Sequence, residues 1–225
     1  MNKLSFVDWG LVPYSEAYQK QQQLFEATIR KKSEQKETQS AVVFCEHQHV
    51  ITIGKNGYAS NLLFPENILK DKQVELYYVD RGGDVTYHGP GQLVGYPIVD
   101  LEVFRMGLKT YIFLIEEIII QLLDHYALKG ERLSGAAGVW LQTDDPNKVR
   151  KICAIGVKSS RYVTMHGFAL NISTDLSYFG LINPCGFKDK GVTSLEKELN
   201  CKIDPEQLKE RLKNIFQERF TNHLV

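Results

Sequence analysis

Hydrophobic and polar positions change period several times along this chain, and the changes mark its elements. Residues 15–32 place Leu24, Ala27 and Ile29 partly on one side, behind Ser15 as a capping residue, and predict a helix. Residues 31–40 are polar and charged, which fits a surface loop or a frayed helix end. Residues 41–45 and 50–53 are short apolar, largely β-branched runs that predict strands joined by Glu46-His47-Gln48-His49. Residues 74–79 predict a third strand, and residues 93–99 a fourth. The strongest helical period runs over 109–126, carried by Ile112, Ile115, Ile119, Leu122 and Leu123, with Gly130 beyond its end. Residues 139–141, 152–157 and 168–172 predict strands of a second half, with a turn at Asp145-Pro146-Asn147. Thr193 or Ser194 suits the cap of a short helix, and residues 205–220 form a last amphipathic helix. Strands in runs, not in strict alternation with helices, predict an α+β fold with mixed β-sheets flanked by helices.

Composition narrows the picture. At 225 residues and 43% hydrophobic, the chain can bury a sizeable core, and one domain over 1–225 is expected, with a small C-terminal appendage from about residue 188. Lys+Arg and Asp+Glu both number 27, so net charge offers no case for nucleic acid or an anionic membrane. The longest apolar stretch, near 111–123, is broken by Glu116 and Glu117 and is no membrane span. The N-terminus lacks the apolar run of a secretion signal, so Cys45, Cys153, Cys185 and Cys201 are expected as reduced thiols in the cytoplasm. Cys-x-x-Cys is absent and no metal site is expected; His47 and His49 would share a face only if their segment were a strand.

Three segments carry the candidate chemistry. Cys185 lies on a Pro/Gly turn, Asn183-Pro184-Cys185-Gly186. A thiol is nucleophilic as thiolate, and a nearby ammonium lowers its pKa; alternatively, Cys185 is a small packed hydrophobe. Lys151 opens Lys151-Ile152-Cys153-Ala154-Ile155-Gly156 and is the candidate ammonium and proton carrier, or an ordinary charged strand end. The small residues Ala154 and Gly156 would let a substrate chain lie on the backbone. The stretch Arg81-Gly82-Gly83-Asp84-Val85-Thr86-Tyr87-His88-Gly89-Pro90-Gly91-Gln92 has neither Walker nor dinucleotide spacing. It is a shaped ligand loop or an awkward β-hairpin, in which Tyr87 and His88 are either hydrogen-bonding groups for a carbonyl or structural. His166, in Met165-His166-Gly167-Phe168-Ala169-Leu170-Asn171, is a base, a carbonyl ligand or a structural histidine. No Gly-x-Ser-x-Gly elbow points to a serine hydrolase.

On these segments, in this order and spacing, the chain resembles the lipoyl(octanoyl) transferases from about Tyr14 to about Glu196. Asp84 departs from the glutamine common in that family. The resemblance implies the biotin/lipoate protein ligase-like fold and an acyl transfer without ATP or cofactor. Cys185 would take an octanoyl group from octanoyl-acyl carrier protein as a thioester, with Lys151 as its paired lysine. The ε-amine of a lysine on a lipoyl domain, of a 2-oxoacid dehydrogenase complex or of the glycine cleavage H protein, would then receive it. Arg81, Gly82, Gly83, Asp84, Val85, Thr86, Tyr87, His88, Ala154, Ile155, Gly156, Gly167, Phe168 and Ala169 correspond to the acyl-binding segments. The rivals are an ATP-dependent lipoate–protein ligase and a lipoyl-domain amidotransferase of the same fold. Biotin ligation is disfavoured by the absence of a Gly-Arg-Gly-Arg run, and a silent binding module by the pairing of Lys151 with Cys185.

Overall fold

The computed structural model describes residues 4–183 and 190–222. Among these, eight strands form one mixed sheet and three form a smaller one. The chain opens with strand β1 (Leu4–Leu11), helix α1 (Tyr14–Ser33) and strand β2 (Ser40–Glu46). It then builds the small sheet from β3 (Val50–Ile53), β4 (Glu75–Tyr78) and β5 (Val85–His88), with the short helix α2 (Glu66–Asp71) between β3 and β4. Next come β6 (Gln92–Ile98), α3 (Leu108–Asp124), β7 (Glu131–Leu133), β8 (Ala136–Leu141), β9 (Arg150–Ser160) and β10 (Val163–Asn171). The last elements are β11 (Gly191–Val192), α4 (Leu195–Leu199) and α5 (Pro205–Thr221). The large sheet runs β1-β2-β6-β10-β9-β8-β7, with β11 parallel to the start of β9; the small sheet runs β4-β3-β5.

Strand alternation assigns the two faces of the large sheet. Phe44, Leu93, Leu170 and Ile152 join α3 and α5 in the main core, where Phe216 stacks on Phe168 and packs edge-on to Phe44. The C-terminal helix thus shares the core of the main sheet. On the opposite face, Val43, Cys45, Val94, Tyr96 and Ala169 pack with Val12 and Ala17 beside α1. The small sheet has its own core around Ile51, Ile53, Val85, Tyr87 and Leu181. A face divided between α1 and a second sheet leaves a gap between the two, and a cleft lies there.

The structure refines several expectations. The glycine-rich stretch is not a β-hairpin: β5 pairs with β3 in the small sheet, β6 with β2 and β10 in the large one, and residues 89–91 carry the chain across. Helix α1 starts at Tyr14 with Pro13 in the capping position, so Ser15 is not its cap. Ser194 does cap α4, but without a side-chain hydrogen bond. No helix among the described residues is long and apolar enough to cross a membrane.

Candidate active site

The cleft encloses about 480 Å³. Its floor is built by β9, β10 and β6 of the large sheet, and the glycine-rich loop forms part of its wall. Lys151 reaches it through a bulge. Val139 pairs with Cys153 but the next residue, Trp140, pairs with Lys151, which leaves one extra residue on β9. An extra residue reverses the side-chain alternation. Ile152 and Cys153 therefore both enter the core, while Lys151 and Ala154 both line the cleft. The Lys151 ammonium donates to the Ala137 carbonyl (3.2 Å) and lies 4.5 Å from the Trp140 ring centroid. The neighbouring strand β8 is held by Glu116 of α3, which accepts the Gly138 amide (3.1 Å) and the Arg132 guanidinium (3.0 Å).

The glycine-rich loop sits directly on β9. The Gly82 amide donates to the Val157 carbonyl (2.8 Å), and a Cβ at Gly156 would stand 2.8 Å from the Gly82 carbonyl oxygen. Only a residue without a side chain permits that approach. A Cβ on Gly167 would meet the Gly95 carbonyl at 2.1 Å, so glycine is required there as well. Arg81 is buried, and its Nη2 donates to the Thr52 carbonyl (2.7 Å) and hydroxyl (3.0 Å). Asp84 accepts from Asn61 through Oδ2 (2.7 Å), whereas its buried Oδ1 has no hydrogen-bond partner among the described residues.

A directional chain of hydrogen bonds sets the state of His88. Asn171 Nδ2 donates to the Thr193 carbonyl (2.9 Å), so its Oδ1 faces and accepts from Gln92 Nε2 (2.9 Å). The Oε1 of Gln92 then accepts from His88 Nδ1 (2.7 Å). His88 Nδ1 therefore carries a proton, and burial keeps the imidazole neutral, with a lone pair on Nε2. Complete burial pushes its pKa down to about 3. The sequence leaves His88 either a carbonyl ligand or a structural histidine; in the fold its Nδ1 proton is engaged by Gln92. His166 is also buried, at φ 61°, with Nε2 donating to Asp80 (2.9 Å); burial lowers its pKa. That hydrogen bond, together with Lys158, holds the Asp80 carboxyl well below the usual range. His47 and His49 diverge: His47 donates to the Val12 carbonyl (2.8 Å) and accepts from Tyr96 (2.7 Å), while His49 bonds Tyr87 (2.7 Å) and stacks on Tyr178.

Of the residues singled out in the sequence, Lys151, Arg81, Gly83, Asp84, Val85, Thr86, His88, Ala154, Ile155, Gly156, Gly167, Phe168 and Ala169 meet at this one cleft. Two stand off it. Tyr87 is packed in the small-sheet core against Tyr178 and Phe179, and Gly82 is spent on the backbone bond to β9. Cys185 lies outside the described residues. Its described flanks are Asn183, whose amide donates to the Asn61 carbonyl (2.8 Å), and Lys190, which lines the cleft just before β11 pairs Val192 with Lys151. Sequence reasoning missed Tyr14, Val94 and Tyr96, which also line the cleft.

The lipoyl protein ligase A/B catalytic domain, as a sequence family, matches residues 14–217, and the chain belongs to that family. Among its curated relatives, an octanoyltransferase of Parabacteroides distasonis is 56% identical over 98% of this chain and 100% of its own length. An octanoyltransferase of Bacteroides thetaiotaomicron is 50% identical over 93% of this chain and 92% of its own. The fold is that of the bi-partite lipoate protein ligase of Thermoplasma acidophilum, with a TM-score of 0.70 at 16% identity over 97% of this chain and 83% of that one.

Proposed function

We propose that this chain is an octanoyltransferase that moves an eight-carbon acyl group from octanoyl-acyl carrier protein to the ε-amine of a lysine on lipoyl domains. Cys185 is the nucleophile. Its thiolate attacks the donor thioester carbonyl, the carrier thiol leaves, and an acyl-cysteine thioester remains. The acceptor amine then attacks that thioester, loses its proton to a base in the cleft, and releases the Cys185 thiol with formation of an amide. The first exchange is thioester for thioester and the second is downhill, so the reaction proceeds without ATP. Lys151 favours the Cys185 thiolate by its charge and handles the proton.

The observation that carries this reading is the bulge on β9, which turns a lysine out of an apolar strand into a cleft floored by alanine and glycine. The other thiols offer no comparable nucleophile: burial pushes the Cys45 and Cys153 thiols far above the usual range, and Cys201 is exposed away from the lining residues. The acceptors we propose are the lipoyl domains of 2-oxoacid dehydrogenase complexes and the glycine cleavage H protein. The test is intact mass after mixing the protein with octanoyl-carrier protein without ATP, beside Cys185→Ala. One octanoyl group on the wild type and none on the variant is expected. No adduct, but labelling of a lipoyl domain once ATP and free acid are supplied, would transfer the assignment to an ATP-dependent ligase.

A further inference from the structure

We infer that Glu116 of helix α3 is a positioning residue for Lys151 and acts on it through a single peptide group. Only the use to which Lys151 is put rests on the acyl-transfer reading; the contacts themselves stand without it. Glu116 is buried, and its two oxygens are divided between two partners. Oε2 accepts from Arg132 Nε (3.0 Å), and Oε1 accepts from the Gly138 amide (3.1 Å). That amide belongs to the same peptide group as the Ala137 carbonyl, which accepts from the Lys151 ammonium (3.2 Å). One planar unit thus has a carboxylate on its N–H and an ammonium on its C=O.

Three consecutive residues of β8 are engaged around the lysine. The Ala136 carbonyl accepts from Trp140 Nε1 (3.0 Å), which fixes the ring whose centroid lies 4.5 Å from Lys151 Nζ. Ala137 holds the ammonium, and Gly138 holds the carboxylate. Gly138 has φ 123°, and a Cβ there would stand 2.5 Å from the Cys153 carbonyl oxygen. Only glycine lets the peptide group take this orientation. The bulge that turns Lys151 into the cleft lies opposite the next two residues of β8, Val139 and Trp140.

The peptide dipole turns its positive end to the carboxylate and its negative end to the ammonium, so each charge strengthens the hydrogen bond made by the other. The two bonds and the width of one peptide group put the charges no more than about 9 Å apart. At an effective dielectric constant of about 20, a unit charge at that distance moves a titration by about one pH unit. Glu116 therefore both aims Lys151 and favours its charged form. Other charged groups surround the pair. Arg132 of β7 also bonds Glu117 (2.7 Å), which Arg219 of α5 approaches (3.4 Å), and Lys190 lines the cleft on the Lys151 side. Burial keeps the nearby Cys153 thiol neutral.

The experiment reads the ammonium directly. Lys151 is acetylated competitively with acetic anhydride over a range of pH, and its peptide is quantified by mass spectrometry, which needs no turnover; transfer of octanoyl groups to a lipoyl domain is assayed on the same proteins. Glu116→Gln retains an oxygen for the Gly138 amide and removes the charge. Its half-labelling pH at Lys151 should fall by about one unit. The alkaline limb of its transfer rate should move down by the same amount, with KM for octanoyl-carrier protein unchanged, because the ammonium is lost at lower pH. Arg132→Gln removes the opposite charge from the same carboxylate and should not lower the half-labelling pH. Circular dichroism selects the variants that fold. If Glu116→Gln does not fold, Gly138→Ala carries the test: its methyl drives the peptide group off the Cys153 carbonyl and should also lower the half-labelling pH. A folded Glu116→Gln or Gly138→Ala with an unchanged value would overturn the positioning role. An equal fall in Arg132→Gln would overturn it too, since loosening of β8 would then be the cause. A wild type that transfers no acyl group, with the fall in Glu116→Gln intact, would defeat the transfer reading and leave Glu116 in its place.

Discussion

Replacing His88 with glutamine should flatten the loss of stability on acidification. In the folded chain His88 is buried, its proton is engaged by Gln92, and its pKa is about 3. Unfolded, it titrates near the reference value of about 6.5. Between those values the unfolded chain binds a proton that the folded chain refuses, so stability is complete above about pH 6.5 and falls as pH drops toward 3. At pH 5 the difference is ~2 kcal/mol, since the unfolded imidazole is then mostly charged and the folded one hardly at all. Burial also lowers the pKa of His47 and His166, so the wild type loses more than this in total. Glutamine retains a donor for Gln92 and has no proton to gain. Urea unfolding of both proteins at pH 7.5 and pH 5.0 isolates the term. The drop between the two pH values should be smaller in His88→Gln by ~2 kcal/mol. Equal drops would mean that native His88 accepts a proton freely on Nε2, and the neutral state assigned to the buried ring would be wrong.

Three further outcomes are expected. Lys151→Ala should slow both half-reactions and shift alkylation of Cys185 to higher pH, measured as the pH dependence of iodoacetamide labelling; an unchanged profile would remove Lys151 from control of the thiolate. Gly156→Val should lift the glycine-rich loop from β9 at a cost of about 1–3 kcal/mol and abolish acyl binding, seen by denaturation and by fatty-acid titration, because its Cβ would contact the Gly82 carbonyl and the Arg81 side chain. Phe216→Ala should cost about 3–5 kcal/mol, read as a lower urea midpoint, because its ring is fully buried among Phe44, Phe168 and Phe220.

Much of the architecture is legible in the sequence where a local period controls it. The helix expected over 109–126 occupies Leu108–Asp124, and the last helix starts at Pro205 behind Asp204, whose carboxylate accepts from Glu206 and Gln207. Strand β1 escapes because Leu4–Leu11 lies at an edge with most side chains exposed, so its alternation is weak. The glycine-rich loop and Lys151 announce themselves by residue type. Other cleft-lining residues do not. Tyr14, Val94 and Tyr96 read as ordinary core positions, and they become a wall only through pairing between strands far apart in sequence. The histidines illustrate the same limit: sequence marks His88 as a hydrogen-bonding group, but which nitrogen holds its proton depends on Asn171, 83 positions away.

The bulge on β9 separates lengths that can drift from lengths that cannot. Residues 142–149 connect β8 to β9 outside the bulge, so insertions or deletions there change only how far the connection projects from the sheet. One residue added or removed between Lys151 and Ala154 would instead turn the lysine toward α3, burying a charge among Ile118, Ile119 and Leu122. Distance along the chain is elastic on one side of Lys151 and rigid on the other. For a chain of this fold whose loops align poorly, two residues between a lysine and a small residue are therefore a better guide to the strand that floors the cleft than the length of anything before it.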